Sequence, residues 1–444
     1  MPFFFVYAGN KGFGVRTHVL SADIGRTQVG TEKRCREKRT PLTTFSIDRL
    51  GIKREYAYFC DEKKEVSSLA SRAAPKKKKE RAMSPILSAY IVFLRWCLAE
   101  GSIEDILPTA KGICWHDLLE FAKKQSLVGI TFMAVDRLPD ELRPPKKIKL
   151  NWCLKAEKIA MWNAATNKSC VHLVAALEKG KWRSCVLKGQ GNALMYPRPE
   201  MRTPGDIDIW IGAEADDIIR VARKKMPNSK ASYHHVDFGK VEGVDVEMHY
   251  RPSFMNNLIN NRRLQRWFRE QRNSQMQHRV DLPGGVGQIA VPTAAFNRIY
   301  QIAHISNHIF FEGIGLRQLL DYYYLLKLGF TEEERLRDEQ LLRRFGLYRA
   351  AGALMYVLQQ VFAMPMEMMI VEADERRGRF LLDEVMIAGN FGHYDERVRH
   401  DGGQLQQYIY HLRRDARLLR YFPSESLWDP VFRWYRFFWR LRHR

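Results

Sequence analysis

Apolar residues recur at helical spacing through residues 84–180. Trp115, Leu118, Leu119 and Ala122 share one face of a predicted helix over 114–124. Residues 126–137 repeat the pattern, and 138–145 form a proline-rich turn. Residues 147–180 predict one long helix, closed by a glycine where the chain leaves it. At residue 182 the period changes. Residues 182–187 predict a strand, 188–191 a glycine-containing turn, and 192–196 a short helix stopped by Pro197 and Pro199. Within 205–212, isoleucine fills every second position from Ile207, which predicts a strand with one apolar face. A helix over 213–225 follows, then strands over 232–238 and 244–250 joined by a hairpin turn at 239–243. From residue 256 helical spacing returns, with helices over 294–311, 316–328, 331–345 and 347–362 and further helical segments to the end. No internal repeat stands out. The expected class is α+β: a small core of mixed sheet and helices at 181–255, between a helical domain at 83–180 and a helical region at 256–444.

Charge changes this picture only at the chain ends. Of a formal net charge of +22, residues 1–82 supply 19 Lys and Arg against 9 acids, and residues 412–444 supply 9 Arg against 3 acids. Such surfaces favour polyanions, nucleic acid or acidic lipid, without choosing between them. Residues 1–82 show weak periodicity and end in a Pro-Lys-Lys-Lys-Lys linker, so a disordered basic extension is expected. Lys79-Glu80 can be encoded as a ribosome-binding sequence just ahead of Met83, so a translation start at Met83 is the companion expectation. The seven cysteines are odd in number, lack CxxC spacing and stop at Cys185. That argues against a disulfide framework or zinc site and for a reducing cytoplasm. The start lacks signal-peptide organisation, and no apolar run reaches the ~20 residues of a membrane span.

The candidate chemistry lies in the strands. Side chains two apart on a strand face the same way, so Asp206 and Asp208 project together while the isoleucines face a core. Paired carboxylates repel unless cations lie between them, the arrangement of a two-metal phosphoryl-transfer site. An acidic strand edge facing solvent is the bland alternative. In 244–250, Asp245, Glu247 and His249 share the face opposite Val244, Val246 and Met248. Spacing leaves Asp245 and Glu247 as alternatives for a third carboxylate. Gly189 and Gly191, in a turn that opens a helix, let backbone N–H groups approach a phosphate. Lys188 beside them is a phosphate contact or a solvated loop lysine, and Arg202 suits a triphosphate.

Other residues carry weaker signals. His304 and His308, four apart on a helix, fit packing or hydrogen bonding better than a metal site, because no third ligand is evident. Arg317 and Asp321, also four apart, read as an ion pair or as residues that orient the site. His249 supports Glu247 or lies near an acceptor. Tyr322–Tyr324 reads as core packing, and His234-His235 as background. In 428–444, Arg433, Arg436 and Arg440 recur at helical spacing among aromatic residues. That helix packs on its own domain, lies on a membrane surface or contacts nucleic acid.

Several of these elements occur together in a familiar order. Leu187-Lys-Gly189, Tyr196-Pro197, Arg202-x-x-x-Asp206-Ile-Asp208 and Val246-Glu-Met-His249 are followed by His304-x-x-x-His308, Gly313-x-Gly315-Leu-Arg317 and Asp321. Together they resemble the uncharacterised bacterial nucleotidyltransferase family of the polymerase-β superfamily, over residues 84–345. The superfamily usually has Gly-Ser or Gly-Gly at the phosphate turn, whereas this branch has Leu-Lys-Gly. The resemblance implies a polymerase-β-type core. Asp206, Asp208 and Glu247 would be its catalytic ligands for Mg²⁺ or Mn²⁺, with Glu247 chosen because the motif places the acid two before His. Lys188, Gly189, Gly191 and Arg202 would bind the nucleotide. The implied reaction moves NMP from an NTP such as ATP to a hydroxyl and releases pyrophosphate. The acceptor is left open among an RNA end, a protein and a small molecule, with the basic charge leaning to RNA. The rival readings are a non-catalytic nucleotide-binding protein and a membrane-surface scaffold. Retention of three carboxylates argues against the first, because clustered like charges are costly to keep without cations.

Overall fold

A computed structural model describes residues 85–99, 102–390, 394 and 404–443, so the expectations for residues 1–82 lie outside the described residues. Arg81–Arg444 forms one unit by its contacts. Four helices open it: α1 (Pro85–Leu98), α2 (Ile103–Ala110), α3 (Trp115–Lys124) and α4 (Val128–Arg137). They close on one another through Phe93, Ile106, Leu118 and Val135. The proline-rich turn leads into α5 (Lys146–Lys179), whose 34 residues span roughly 50 Å at 1.5 Å per residue. Its first half packs Trp152 among the opening helices. Its second half packs Cys170, Leu173, Val174 and Leu177 against the sheet. A single rod therefore ties the helical region to the core.

The core follows in the order β1 (Ser184–Val186), α6 (Gln190–Ala193), β2 (Ile207–Ile211), α7 (Ala215–Lys225), β3 (His235–Val241) and β4 (Val244–His249). The sheet order is β1-β2-β4-β3, with β2 and β4 parallel and the outer pairs antiparallel. The alternation read from sequence sets its two faces. Ile207, Ile209 and Ile211 join Val244, Val246 and Met248 under α5 and α7, all nearly inaccessible. Burial of one such isoleucine contributes about 1.5–3 kcal/mol. The opposite face carries Trp210, stacked on Phe296 at 5.9 Å, and the polar residues of the site.

Two details of the β3–β4 hairpin differ from expectation. β3 runs on to Val241, and the turn is Glu242-Gly243, with φ of 50° and 89°. Two positive-φ residues match the twist of a tight hairpin. Gly239 is not part of the turn. It is a bulge at φ 77°, where the register shifts after Asp237.

The region after 256 is not wholly helical. Between α8 (Leu258–Gln277) and α9 (Ala294–Phe311) lies a hairpin of β5 (Arg279–Leu282) and β6 (Gly287–Ala290), turned at Pro283–Gly285. Gly284 and Gly285, at φ of 79° and 64°, turn the chain there, and Leu282 and Ile289 extend the apolar layer under the sheet. The remaining helices are α10 (Leu316–Lys327), α11 (Glu332–Arg344), α12 (Tyr348–Phe362), α13 (Glu375–Ala388), α14 (Gln404–Leu419) and α15 (Pro423–Arg442). Tyr322 and its neighbours are core residues, as expected. α15 folds back on the hairpin end of the sheet: Phe432 is fully buried against Tyr233 and Phe254, and Trp439 stacks on Tyr250. Its other face leaves Leu427, Val431, Trp434, Phe438 and Leu441 exposed. No helix among the described residues is long and apolar enough to cross a membrane.

Candidate active site

Parallel pairing of β2 with β4 sets Asp208 directly beside Glu247. Asp206 lies just before β2 and lines the same cleft as Asp208. Asp208 is buried, whereas the Glu247 side chain is 29% exposed. The structure separates the two candidates for the third carboxylate. Asp245 is exposed and pairs with Lys240 at 3.3 Å, while Glu247 joins Asp208 and His249 in a group whose ligand atoms lie within 4.8 Å of one another.

The charges of this group are out of balance on one side. Asp208 and then burial raise the Asp206 carboxyl to about 6. Burial also opposes ionisation of Asp208, yet the Lys188 ammonium at 2.9 Å and a hydrogen bond from His249 hold it well below the carboxylate range. His249 is buried too, but its Nε2–H donates to Asp208 at 2.9 Å and faces Glu247 at 3.3 Å, which carries its pKa up to about 9. Lys188 and His249 thus act as cations toward Asp208, while the repulsion at Asp206 remains.

Lys188 lies two residues past β1 and starts the turn. Gly189 sits at φ 61°, a conformation costly for a residue with a Cβ, and lines the cleft beside Asp206. Gly191 does not line it. A Cβ there would come within 2.9 Å of Val291, so this glycine serves packing, in contrast to its expected place at the nucleotide. Behind Lys188 runs a chain that the sequence showed only as a histidine spacing. Lys188 Nζ lies 3.2 Å from His304 Nε2, His304 lies 2.9 Å from His308, and His308 lies 3.1 Å from Glu312. Burial and the nearby Lys188 depress the His304 pKa well below 6.5, so the neutral ring accepts from the ammonium.

Arg202 also differs from expectation. Its Nε and Nη2 both reach Asp321, each at 2.7 Å, and both residues are buried. Tyr196 donates to the same carboxylate at 2.6 Å and Asn192 at 3.3 Å. The guanidinium lines the cleft but is committed to Asp321 instead of being held open for a triphosphate. Asp321 pairs with Arg202, and Arg317 on its own helix also favours its ionised form. Arg317, from that helix, lines the same cleft and donates to the Thr203 carbonyl at 2.9 Å. Burial and repulsion from Arg202 lower its pKa.

The donor set fits a divalent cation. Asp206, Asp208 and Glu247 offer hard oxygen ligands, and the unrelieved repulsion at Asp206 is what a cation would cancel. A small mixed sheet between helices, with such carboxylates on adjacent parallel strands, defines a nucleotidyltransferase-type core. Residues 111–363 match the family described as uncharacterised nucleotidyltransferase, and the chain belongs to that family. Among solved structures, an antigenic nucleotidyltransferase-like protein from Paracoccidioides brasiliensis is similar at 12% identity and a TM-score of 0.29, with 47% of this chain and 94% of that chain covered. None of the curated proteins matches the chain.

Proposed function

We propose that the protein is a metal-dependent nucleotidyltransferase that moves NMP from an NTP to a hydroxyl acceptor. The observation that carries this reading is that Asp206 and Asp208 line one cleft with Glu247 beside Asp208 on the paired strand, while Asp206 is left electrostatically unsatisfied. Mg²⁺ or Mn²⁺ held by these carboxylates would neutralise the α-phosphate and acidify the attacking hydroxyl. The acceptor oxygen bonds to the α-phosphorus, the bond to the β-phosphate bridge breaks, pyrophosphate leaves, and the hydroxyl proton passes to solvent. Lys188 and the Gly189 turn would hold the β- and γ-phosphates, with Arg317 in the role first expected of Arg202. Glu247, partly exposed where Asp208 is buried, would face the acceptor side.

The test incubates full-length protein with each α-labelled NTP, Mg²⁺ or Mn²⁺, and total RNA, protein or metabolite extract. Label transfer by wild type and its loss in Asp206→Ala/Asp208→Ala is the expected result, and the labelled fraction names the acceptor class. Nucleotide binding without transfer under any condition would establish the non-catalytic rival.

We further infer that α15 rests on an anionic lipid surface. Its exposed seam combines Trp434, Phe438 and Leu441 with exposed Arg440 and Arg442, while its acids Glu425 and Asp429 are buried. Apolar residues flanked by uncompensated arginines complement an acidic headgroup layer, at about 1 kcal/mol per arginine. A second copy of the helix would instead bring like charges together. Vesicles containing phosphatidylserine should sediment wild type but not Trp434→Ser/Phe438→Ser. Equal sedimentation of the two, or of neutral and acidic vesicles, removes this inference.

A further inference from the structure

His234 and His235 carried no reading as a sequence pair, yet the fold sets His235 against Glu247 and His234 against His235. β3 pairs with β4 in a register that sets His235 opposite His249. The three imidazoles cluster with ring centroids 4.3–5.3 Å apart. Their inner atoms converge. His234 Nε2 lies 3.1 Å from His235 Nδ1, which lies 3.1 Å from Glu247 Oε2. Glu247 Oε2 lies 3.3 Å from His249 Nε2, which lies 2.9 Å from Asp208 Oδ1. Bonds of ~2.0–2.2 Å to nitrogen and oxygen place neighbouring ligands of a small cation about 3 Å apart, which is the spacing found here.

The outer nitrogens support the same arrangement. His234 Nδ1 faces the Ser232 hydroxyl at 3.2 Å, and His249 Nδ1 faces the Arg251 carbonyl at 3.3 Å. His235 Nε2 points toward the Asp237 carboxylate at 3.8 Å. The rings of His234 and His249 thus each turn one nitrogen to an orienting oxygen and the other into the cluster, as metal-binding histidines do. Asp206 belongs to none of the clusters that contain these imidazoles.

We propose that His234, His235 and His249, whose ligand atoms lie within 4.8 Å of one another beside Glu247 and Asp208, form an imidazole centre for a first-row transition metal, distinct in ligand chemistry from the all-oxygen position at Asp206. Imidazole nitrogen favours Zn²⁺ and its neighbours over Mg²⁺. Entry of the metal displaces the Nε2 proton that His249 now shares with the two carboxylates. Because Glu247 belongs to the catalytic set, the proposal deepens the transferase reading and rests on it for its consequence: the metal on the acceptor side would be a transition metal.

The experiment strips full-length protein with a chelator and titrates Zn²⁺ without nucleotide against a competing chromophoric chelator. One equivalent should bind. His234→Ala/His235→Ala should weaken it by at least about tenfold, and by more than Asp206→Ala, which removes a nearby charge and no imidazole. Zn X-ray absorption of the wild type should show imidazole outer-shell scattering, a readout that does not depend on a variant folding. Absence of that scattering overturns the proposal, as does unchanged affinity in a folded double-histidine variant or failure of wild type to bind Zn²⁺. Label transfer measured on the same preparations separates the two readings. Zinc held by imidazole with no transfer under any metal leaves the centre standing and removes the transferase. Transfer without imidazole scattering does the reverse.

Discussion

Replacing Asp321 by alanine should unlock the wall of the cleft. Asp321 on α10 is 4% exposed and receives two 2.7 Å bonds from Arg202, itself 3% exposed. Tyr196 and Asn192 donate to the same carboxylate. Its removal strands a buried guanidinium and orphans two further donors. Breaking a buried pair from one side costs about 3–5 kcal/mol, far more than an exposed pair at ~0–1. For a chain this long, each kcal/mol moves Tm by roughly 2 °C, so a drop of about 6–10 °C is expected. Thermal melts and urea titrations of the full-length protein at pH 7.5 would read it. Asp321→Asn, which keeps the shape but not the charge, should lose less. Arg202→Met/Asp321→Leu should recover more than half of the loss, since an apolar pair removes the stranded charge. A fall under about 1 kcal/mol, or a double variant no better than Asp321→Ala, would refute the reasoning. Arg202 would then have another anion within reach, as a triphosphate-binding arm requires.

Three further outcomes follow from the site and its supports. The folded Asp206 carboxyl titrates at about 6, above its ordinary 3.8, so the folded state binds the extra proton between those values. Stability should therefore fall as pH rises through about 4–6, and added Mg²⁺ or Mn²⁺ should raise Tm more at pH 8 than at pH 5; equal shifts would contradict the assignment. Lys188→Met removes a charge that holds Asp206 and Asp208 down, so the metal-dependent shift should begin at higher pH. Nucleotidyl transfer by that variant should fall roughly 10–100-fold, the worth of one charged hydrogen bond at 1.5–3 kcal/mol. Gly129→Ala would place a Cβ 2.2 Å from the Met201 carbonyl oxygen, prying α4 from the segment that carries Arg202. It should cost about 1–3 kcal/mol by chemical denaturation, and no loss would mean that the segment yields freely.

Strand periodicity made the sheet legible because it leaves little choice. Ile207, Ile209 and Ile211 must share a face, and that face became the core. Glycine was harder to read, because its permissiveness serves several ends. Gly239 is a bulge where a turn was expected, and Gly191 yields space to Val291 where a phosphate was expected. The β5–β6 hairpin escaped notice because four-residue strands offer too few alternations to stand against the helical segments around them.

The site divides along the same line. Residues whose neighbours lie on the same or the paired strand were partly placed by spacing: Asp206 and Asp208 line one cleft, while spacing left Asp245 and Glu247 open and pairing sets Glu247 beside Asp208. Residues whose partners arrive from distant helices could not. Arg202 looked like an open cation because nothing near it in sequence opposes it, but its partner Asp321 is 119 residues away. Lys188 meets His304 across 116 residues. For His234 and His235 the missing fact was register. A shift of one residue between β3 and β4 would turn His235 to the other face, away from Glu247. The Gly239 bulge interrupts the pairing only beyond Asp237, so His235 stays opposite His249. Histidine chemistry at this site therefore depends on how the hairpin is paired, which composition and local spacing do not encode.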